Sequence, residues 1–264
     1  MVSSAFVWAI FALGVVARPA PDLTFSTGAA RPAEKQVISE YFNMLAQKVQ
    51  EGRHMAQAPV CNMASAVPPV LSPTPMPSPS AGLVLKHVAI GRGTQNYTCG
   101  SNATAAPTAT GAVATLFNAT CVAATYPDLL AILPNVALQF PFDPSNVGLL
   151  KPAELAISGR HFFTNATTPF FDLNYNSKMK LGRGAFAKIG ALNAPTGASI
   201  GQNNKGYGAV AWLQLNARTG ASDGLQEVYR LNTAGGSPPP TCADNLNSNF
   251  DVQYAAEYWF YEKA

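Results

Sequence analysis

Apolar residues follow two different periods along this chain. Between residues 32 and 52 they recur every three or four positions, with Pro32 near the start and Gly52 at the end, which predicts an amphipathic α-helix. From Leu83 onward, apolar and polar residues alternate in short runs separated by Gly, Pro and Asn clusters, and this pattern predicts strands. We expect strands at 83–90, 94–99, 112–122, 158–164, 169–174, 184–191, 208–217, 225–233 and 251–261, and a second short helix only at 128–133.

A chain with many strands and few helices is typical of a β-sandwich or a β-barrel. We therefore predict an all-β fold, a single sandwich or barrel over residues 83–262, with the N-terminal helix packed against it. Residues 53–82 are expected to form an extended strap, because the stretch 64–82 is rich in proline and serine. The final strand should be central, since it is rich in aromatic residues and contains no Pro or Gly.

The N-terminus has the features of a signal peptide. Residues 5–17 form an uncharged apolar run, whereas a bilayer-spanning helix needs about 20 residues. Ala17 ends a small-residue cleavage site before Arg18. We predict a signal peptide over 1–17 and a flexible lead over 18–31, with a buried core helix as the alternative to the signal peptide. The protein is then extracellular, either free or associated with the cell wall, and no later segment is expected to span a membrane.

Composition and glycosylation motifs agree with export. Only 12% of the residues are charged, about half the usual share, so small polar residues or sugars must cover the surface. The 17 Lys and Arg residues are scattered, which argues against nucleic-acid binding. Asn-x-Ser/Thr sequons predict N-glycosylation at Asn96, Asn102, Asn118 and Asn165.

The cysteine count predicts two disulfides with three possible connectivities. The cysteines are Cys61, Cys99, Cys121 and Cys242. If 94–99 and 112–122 form a hairpin, Cys99 and Cys121 lie near its opposite ends, and a bridge needs Cα atoms within about 7 Å. Two connectivities therefore stay open. No Cys-x-x-Cys pair occurs, so a cysteine metal site is not expected.

Side-chain alternation suggests a pocket. A glycan on Asn96 must point to solvent, so Gln95 and Tyr97 should point inward, and an outward Asn118 should likewise turn Cys121 inward. Sandwiches and barrels present concave mouths lined by aromatic and a few polar groups. The candidate lining residues are Gln95, Tyr97, His161, Trp212, Arg230 and Tyr258. In this hypothesis the aromatic rings stack on a carbohydrate or a small apolar ligand, and the alternative is ordinary core packing.

Two glycine motifs resemble enzyme signatures but lack the required context. The segment 197–201 matches Gly-x-Ser-x-Gly, yet no strand precedes it and no helix follows, so we interpret it as a loop and not as a nucleophile elbow. The segment 91–93 (Gly-Arg-Gly) follows a predicted strand but has no third Gly or helix after it. We interpret it as a glycine turn between strands.

The histidines and carboxylates leave an enzyme as the second hypothesis. His54, His87 and His161 occur without His-x-His or His-Glu-x-x-His spacing, so we predict no metal and no cofactor. The first hypothesis is a secreted binding or structural module of the cell surface. The alternative is a secreted hydrolase or other enzyme that uses His161 and a carboxylate. Glu257 is the carboxylate expected to be most buried, although it can simply pair with a strand arginine such as Arg230.

Six sequence segments, taken in order, carry a family resemblance. They are GRGTQNYTC (91–99), GRHFF (159–163), AVAWL (209–213), VYRLNTAGG (228–236), PPTC (239–242) and YAAEYWFY (254–261). Together they resemble the secreted family known as domain of unknown function 3455, in its fungal form, over about residues 60–262. The resemblance implies secretion and a β-rich domain, and it implies no particular chemistry.

The family pattern also bears on the disulfides and on one activity. Its Tyr-x-Cys and Pro-x-x-Cys elements recur together, and the resemblance therefore favours Cys99–Cys242, which leaves Cys61–Cys121. Fungal members are often labelled malate dehydrogenase. We do not expect that activity here, because the chain lacks the Gly-x-Gly-x-x-Gly strand–turn–helix unit and the βαβ alternation that a nicotinamide site requires.

Overall fold

A computed structural model of the protein describes residues 32–53, 61–70, 74–142, 149–153, 155–175 and 180–264. The predicted signal peptide (1–17), the predicted lead (18–31) and His54 lie outside the described residues. The strands are β1 (Leu83–Thr98), β2 (Thr108–Asn118), β3 (Leu149–Leu150), β4 (Leu155–Asn165), β5 (Thr168–Asp172), β6 (Arg183–Leu192), β7 (Trp212–Ala217), β8 (Leu225–Gly235) and β9 (Asn249–Lys263). The α-helices are α1 (Pro32–Arg53), α2 (Thr120–Thr125) and α3 (Pro127–Gln139).

Eight of these strands close into an antiparallel barrel. The order around the sheet is β2-β1-β9-β8-β7-β6-β5-β4, and β2 also pairs with β4, so the two ends of the sheet meet. The short strand β3 adds to the edge of β4. The predicted all-β class is confirmed, and of the two predicted architectures the barrel is the one that forms. An eight-stranded barrel is just wide enough to be filled by side chains or to hold one small ligand.

Strand β9 explains how the barrel acquires two apolar layers. Successive side chains of a strand point to opposite faces. Tyr258 and Phe260 therefore belong to the cluster inside the barrel, whereas Trp259 and Tyr261 belong to the cluster outside it. Both faces of this strand are buried because α3 covers the outer one. The central position predicted for the final strand is confirmed, since β9 lies between β1 and β8.

The helices form the outer layer on the β1–β9–β8 side. Pro127 occupies the start of α3, where its missing N–H costs nothing. The fully buried Arg92 of β1 lies at the other end of α3 and donates to the carbonyl oxygens of Ala137 (3.1 Å) and Phe140 (3.3 Å). These bonds satisfy carbonyl groups that every helix leaves unpaired at its C-terminus. Within the described ranges, no helix is long and apolar enough to cross a membrane.

Several pattern-based boundaries differ from the structure, such as the start of β7 at Trp212, and two of the differences change the interpretation of a motif. Strand β1 runs without interruption through Gly91 and Gly93, so the predicted turn does not exist. The glycines are needed for close approach instead, because a Cβ on Gly93 would lie 1.9 Å from the backbone oxygen of Val113 on β2. The strand predicted at 112–122 ends at Asn118 and is followed by α2. Cys121 is therefore an exposed helical residue and not an inward strand residue.

Two disulfides tie peripheral segments to the barrel. Cys99–Cys242 (Cα–Cα 5.6 Å) joins the β1–β2 loop to the β8–β9 loop, and Cys61–Cys121 (Cα–Cα 4.9 Å) joins the strap to α2. This is the connectivity that the family resemblance favours. The backbone N–H of Cys242 also donates to the carbonyl oxygen of Ala105 at 2.8 Å, so the two loops are held together at one end of the barrel.

Candidate functional site

A cavity of about 560 Å³ lies inside one end of the barrel. It is bounded by the ends of the strands that the β1–β2, β4–β5, β6–β7 and β8–β9 loops connect, so Cys99–Cys242 lies at the same end. Ligand pockets typically have volumes of about 300–1,000 Å³. The lining residues are Gln95, Tyr97, Ala109, His161, Phe163, Ala166, Thr167, Pro169, Phe171, Lys188, Ala191, Val210, Ala211, Leu213, Leu215, Arg230 and Tyr258.

Packed aromatic rings form the floor of the cavity. Phe171 meets Phe186 and Phe260 edge-on, with ring centroids 5.3 and 5.5 Å apart. The His161 imidazole stacks on Phe171 at 4.3 Å, and Tyr258 lies 5.8 Å from the same imidazole. Edge-to-face and offset-stacked pairs are the favoured aromatic geometries. The barrel is therefore filled on one side of this floor and open on the other.

Five of the six predicted lining residues meet at this cavity, and Trp212 does not. The prediction for Trp212 was wrong by one position on β7. Leu213 and Leu215 point into the barrel, so Trp212 and Gln214 point out. Trp212 is buried in the outer apolar cluster, and its indole Nε1 finds no acceptor among the described residues.

His161 is a neutral acceptor at the cavity wall. Its Nδ1 donates to the backbone oxygen of Phe170 at 3.0 Å, which leaves Nε2 as the unprotonated nitrogen. The pKa of His161 is lowered to about 4, chiefly because the ring is buried; the bond to Phe170 raises the pKa and the nearby Arg230 charge lowers it. The ring is therefore uncharged at neutral pH. Its free lone pair can accept a hydrogen bond.

His87 is buried elsewhere and has no free nitrogen. Its Nε2 lies 2.9 Å from the Ser158 hydroxyl and its Nδ1 lies 2.8 Å from the Thr120 hydroxyl. Burial lowers the pKa of His87 to about 4. Because both ring nitrogens are engaged by hydroxyl groups and the ring does not line the cavity, His87 has a structural role.

Arg230 is the buried cation of the cavity. Its Nε and Nη2 donate to the backbone oxygen of Ala211 at 3.2 and 2.9 Å, and only 9% of the residue is exposed. Its charge acts on neighbouring groups, since it opposes the effect of burial on the pKa of Tyr258 and of Tyr97. Burial is the larger effect and raises the pKa of Tyr97 to about 12. In the part of the chain that the structure describes, Arg230 forms no salt bridge.

Gln95 contributes a donor that is not fully bonded. The residue is 9% exposed, and its amide Nε2 meets no acceptor at good hydrogen-bond geometry among the described groups. Burial raises the pKa of Tyr254, and the nearby Gln95 side chain opposes this effect, so the Tyr254 hydroxyl is its weak partner. Tyr97, two positions along β1 on the same face, is satisfied because its hydroxyl donates to the carbonyl oxygen of Gly236 at 2.7 Å. An unpaired buried amide donor costs about 1–3 kcal/mol. Gln95 therefore presents an amide donor to the cavity that a ligand could accept from.

The charges of the lining are of one sign only. No Asp or Glu is among the lining residues identified, whereas Arg230 lies inside and the exposed Lys188 lies at the rim. The other polar groups are neutral donors and acceptors on mostly apolar and aromatic walls. The arrangement can accommodate a negatively charged or neutral molecule, and it offers no counter-charge to a cation.

The carboxylate that the enzyme hypothesis needed lies on the other side of the sheet. Glu257 precedes Tyr258 on β9 and therefore points outward, where it is fully buried beneath α3. Asn232 and the indole of Trp259 donate to its two oxygens at 2.7 and 2.8 Å. Burial raises the pKa of Glu257 to about 7, against the lowering effect of these two bonds. Glu257 therefore pairs neither with His161 nor with Arg230.

The remaining motifs do not add chemistry to this cavity. The segment 197–201 lies in the β6–β7 loop, as predicted. Across the described ranges, no group of three His, Cys, Asp or Glu side chains could hold a metal ion. Of the sequon asparagines, Asn102, Asn118 and Asn165 are exposed, while Asn96 is half-buried on the outer face of β1. N-glycosylation at these positions stays a prediction.

Most of the apolar wall was not predicted from the sequence. Phe171 and Pro169 of β5, and Leu213 and Leu215 of β7, line the cavity. Their spacing of two residues is the signal that could have found them, once one member of each pair is known to face inward. Lys188 carries no such signal, because it is an exposed residue that only the barrel geometry brings to the rim.

Comparison with known proteins identifies the family. The model of the family described as protein of unknown function (DUF3455) matches residues 79–262, which is most of the chain. Neither a curated protein nor a solved structure matches the sequence.

Proposed function

We propose a binding function for this chain, which belongs to the DUF3455 family of proteins of unknown function. The protein holds a small, largely apolar molecule in the open end of its barrel. The observation that carries the proposal is a cavity of about 560 Å³ with an aromatic floor, aliphatic walls and only a few polar groups. This composition is typical of small-molecule pockets, where apolar contacts supply affinity and a few polar groups set orientation. A carbohydrate is less well matched, because its many hydroxyl groups would face leucine, valine and alanine side chains.

The test uses a neutral apolar fluorophore and a variant that blocks the cavity. N-phenyl-1-naphthylamine should bind the purified protein with a rise in fluorescence. Ala191→Trp places a large ring at the cavity wall and should abolish that binding. Ile189→Trp is the matched control, because Ile189 lies on the same strand and is exposed like Ala191 but does not line the cavity. Absence of binding, or equal binding by both variants, would contradict the proposal.

We also propose that the protein acts outside the cell, as a secreted and glycosylated protein. The apolar run at 5–17, the four sequons and the low charge content support this location, as do the two disulfides. Expression of the full chain in a eukaryotic host should yield secreted protein that starts after Ala17 and loses mass on treatment with an N-glycosidase. Recovery of the uncleaved chain from the cytosol with four free thiols would contradict it.

A further inference from the structure

We propose that the molecule in this cavity is an apolar carboxylic acid whose acid group is bound by the Arg230 guanidinium and the Gln95 amide. This inference rests on the proposed binding function and adds the chemical class of the ligand. The aliphatic and aromatic walls hold the hydrocarbon part of the molecule, and the two polar side chains select its charged end.

The positive charge of Arg230 is not balanced by a carboxylate in the part of the chain that the structure describes. Buried charges in proteins are normally paired, because removing a charge from water costs several kcal/mol, of order 5 or more. Arg230 is buried, and among the described residues its hydrogen-bond partners are the Ala211 carbonyl oxygen and the Tyr258 hydroxyl, neither of which carries a full negative charge. A guanidinium has more donors than these groups use. Its planar fork matches the two oxygens of a carboxylate, which makes a carboxylate the fitting counter-ion.

Gln95 presents a second donor to the same cavity as Arg230. Among the described residues its buried Nε2 meets no acceptor at good hydrogen-bond geometry, and its side chain interacts only weakly with the Tyr254 hydroxyl. Both residues therefore have donor capacity that the protein does not fully use. A carboxylate offers about four lone-pair sites and can therefore accept from several donors at once.

The remaining lining residues favour a ligand with a negative charge and a hydrocarbon body. No carboxylate is among them, so an anion would meet no like charge. The imidazole of His161 is neutral and its Nε2 can accept a bond from a hydroxyl group on the ligand. Most of the other lining side chains are apolar or aromatic, which requires a ligand with a hydrocarbon body and not a free inorganic anion.

The test compares two probes of the same shape, 2-naphthoate and 2-naphthamide, which differ in the charge of the head group at pH 7. Calorimetric titration of the full chain should show naphthoate binding at least about tenfold more tightly, because hydrogen bonds to charged groups contribute more than neutral ones. Arg230→Gln should remove this preference while leaving naphthamide and N-phenyl-1-naphthylamine bound, which also shows that the variant is folded. Gln95→Leu should weaken naphthoate more than naphthamide.

Arg183→Gln is the control for a surface cation. Arg183 is exposed on β6 and does not line the cavity, so its removal should change naphthoate affinity by less than about fivefold. The proposal is overturned if the two probes bind equally to the wild type, or if Arg230→Gln keeps the preference. In either case, binding of N-phenyl-1-naphthylamine would still support the binding function itself. If no probe binds, both proposals fail.

Discussion

The buried carboxylate of Glu257 should make stability depend on pH in a predictable direction. In the unfolded chain the Glu pKa is about 4.5, and in the folded protein burial raises the pKa of Glu257 to about 7. Between these values the folded state holds a proton that the unfolded state has released. The stabilisation is therefore complete below pH 4.5 and is lost as the pH rises through 7. At about 1.4 kcal/mol per pH unit over that interval, the loss is about 3 kcal/mol.

The assay is a comparison with Glu257→Gln, which keeps the side-chain shape and does not titrate. Free energies of unfolding are measured by denaturant titration, followed by circular dichroism, at several pH values from 4.5 to 8. His87 and His161 also titrate, with the opposite sign, because burial lowers the pKa of each to about 4. Their stabilisation is present above pH 6.5 and is lost as the pH falls through 4. Since both proteins contain them, the difference between wild type and variant isolates Glu257.

The expected result is that the wild-type advantage over Glu257→Gln decreases by about 3 kcal/mol between pH 4.5 and pH 8. A second pair adds Trp259→Phe to both proteins and removes the donor that lies 2.8 Å from Glu257 Oε2. The carboxylate then has one donor fewer, so its pKa should rise further. Because the titration ends at pH 8, about one pH unit above the original pKa, the decrease should grow by about 1 kcal/mol and by no more than about 1.4 kcal/mol. A difference that does not change with pH would refute the reasoning, because it would mean that Glu257 is not held in an apolar environment.

Two further predictions concern the packing of β1 and the bond at the cavity rim. Gly91→Ala would place a Cβ 2.4 Å from the ring of Tyr258, so thermal unfolding should show a loss of stability of about 1–3 kcal/mol. Gly100→Ala is the control, because a Cβ there meets nothing within 4 Å and should have little effect; equal effects of the two variants would contradict the close approach. Replacing Cys99 and Cys242 together by Ser removes a cross-link between residues 143 positions apart, and the free energy of unfolding measured with denaturant should fall by about 4 kcal/mol. A fall of less than about 1 kcal/mol would show that the two loops stay joined without the disulfide.

The local pattern correctly predicted most of the secondary-structure elements and the inward orientation of some strand side chains. Gln95 and Tyr97 were placed inward from the requirement that Asn96 reach solvent, and both line the cavity. This inference works because the side-chain period of a strand is two and needs no knowledge of the partner strand. On β7 no sequon marks a residue that must face solvent, so the same reasoning could not assign the two faces of the strand. The prediction that Trp212 points inward was therefore wrong.

The pattern was misleading where glycine and helix signals depend on contacts. Gly91 and Gly93 were interpreted as a turn, although they lie in a strand whose neighbours leave no room for a Cβ. Cys121 was assigned to a strand because the apolar run continues beyond Asn118. The chain turns into α2 there, and the Thr120 hydroxyl oxygen accepts a hydrogen bond from the backbone N–H of Val88 on β1 at 3.1 Å. Whether these residues form a turn, a strand or a helix therefore depends on their contacts with segments that are distant in the chain.

By itself, the sequence determined the all-β class, the N-terminal helix and the family, because composition, period and motif order are properties of the chain alone. The tertiary structure decided that the sheet closes into a barrel through the β2–β4 pairing. It also decided which side chains share the cavity, since His161 of β4 and Arg230 of β8 meet only across the closed barrel. Closure and register arise from pairing between segments far apart in the chain, and local alternation constrains a side chain's face without naming the strand that it will meet.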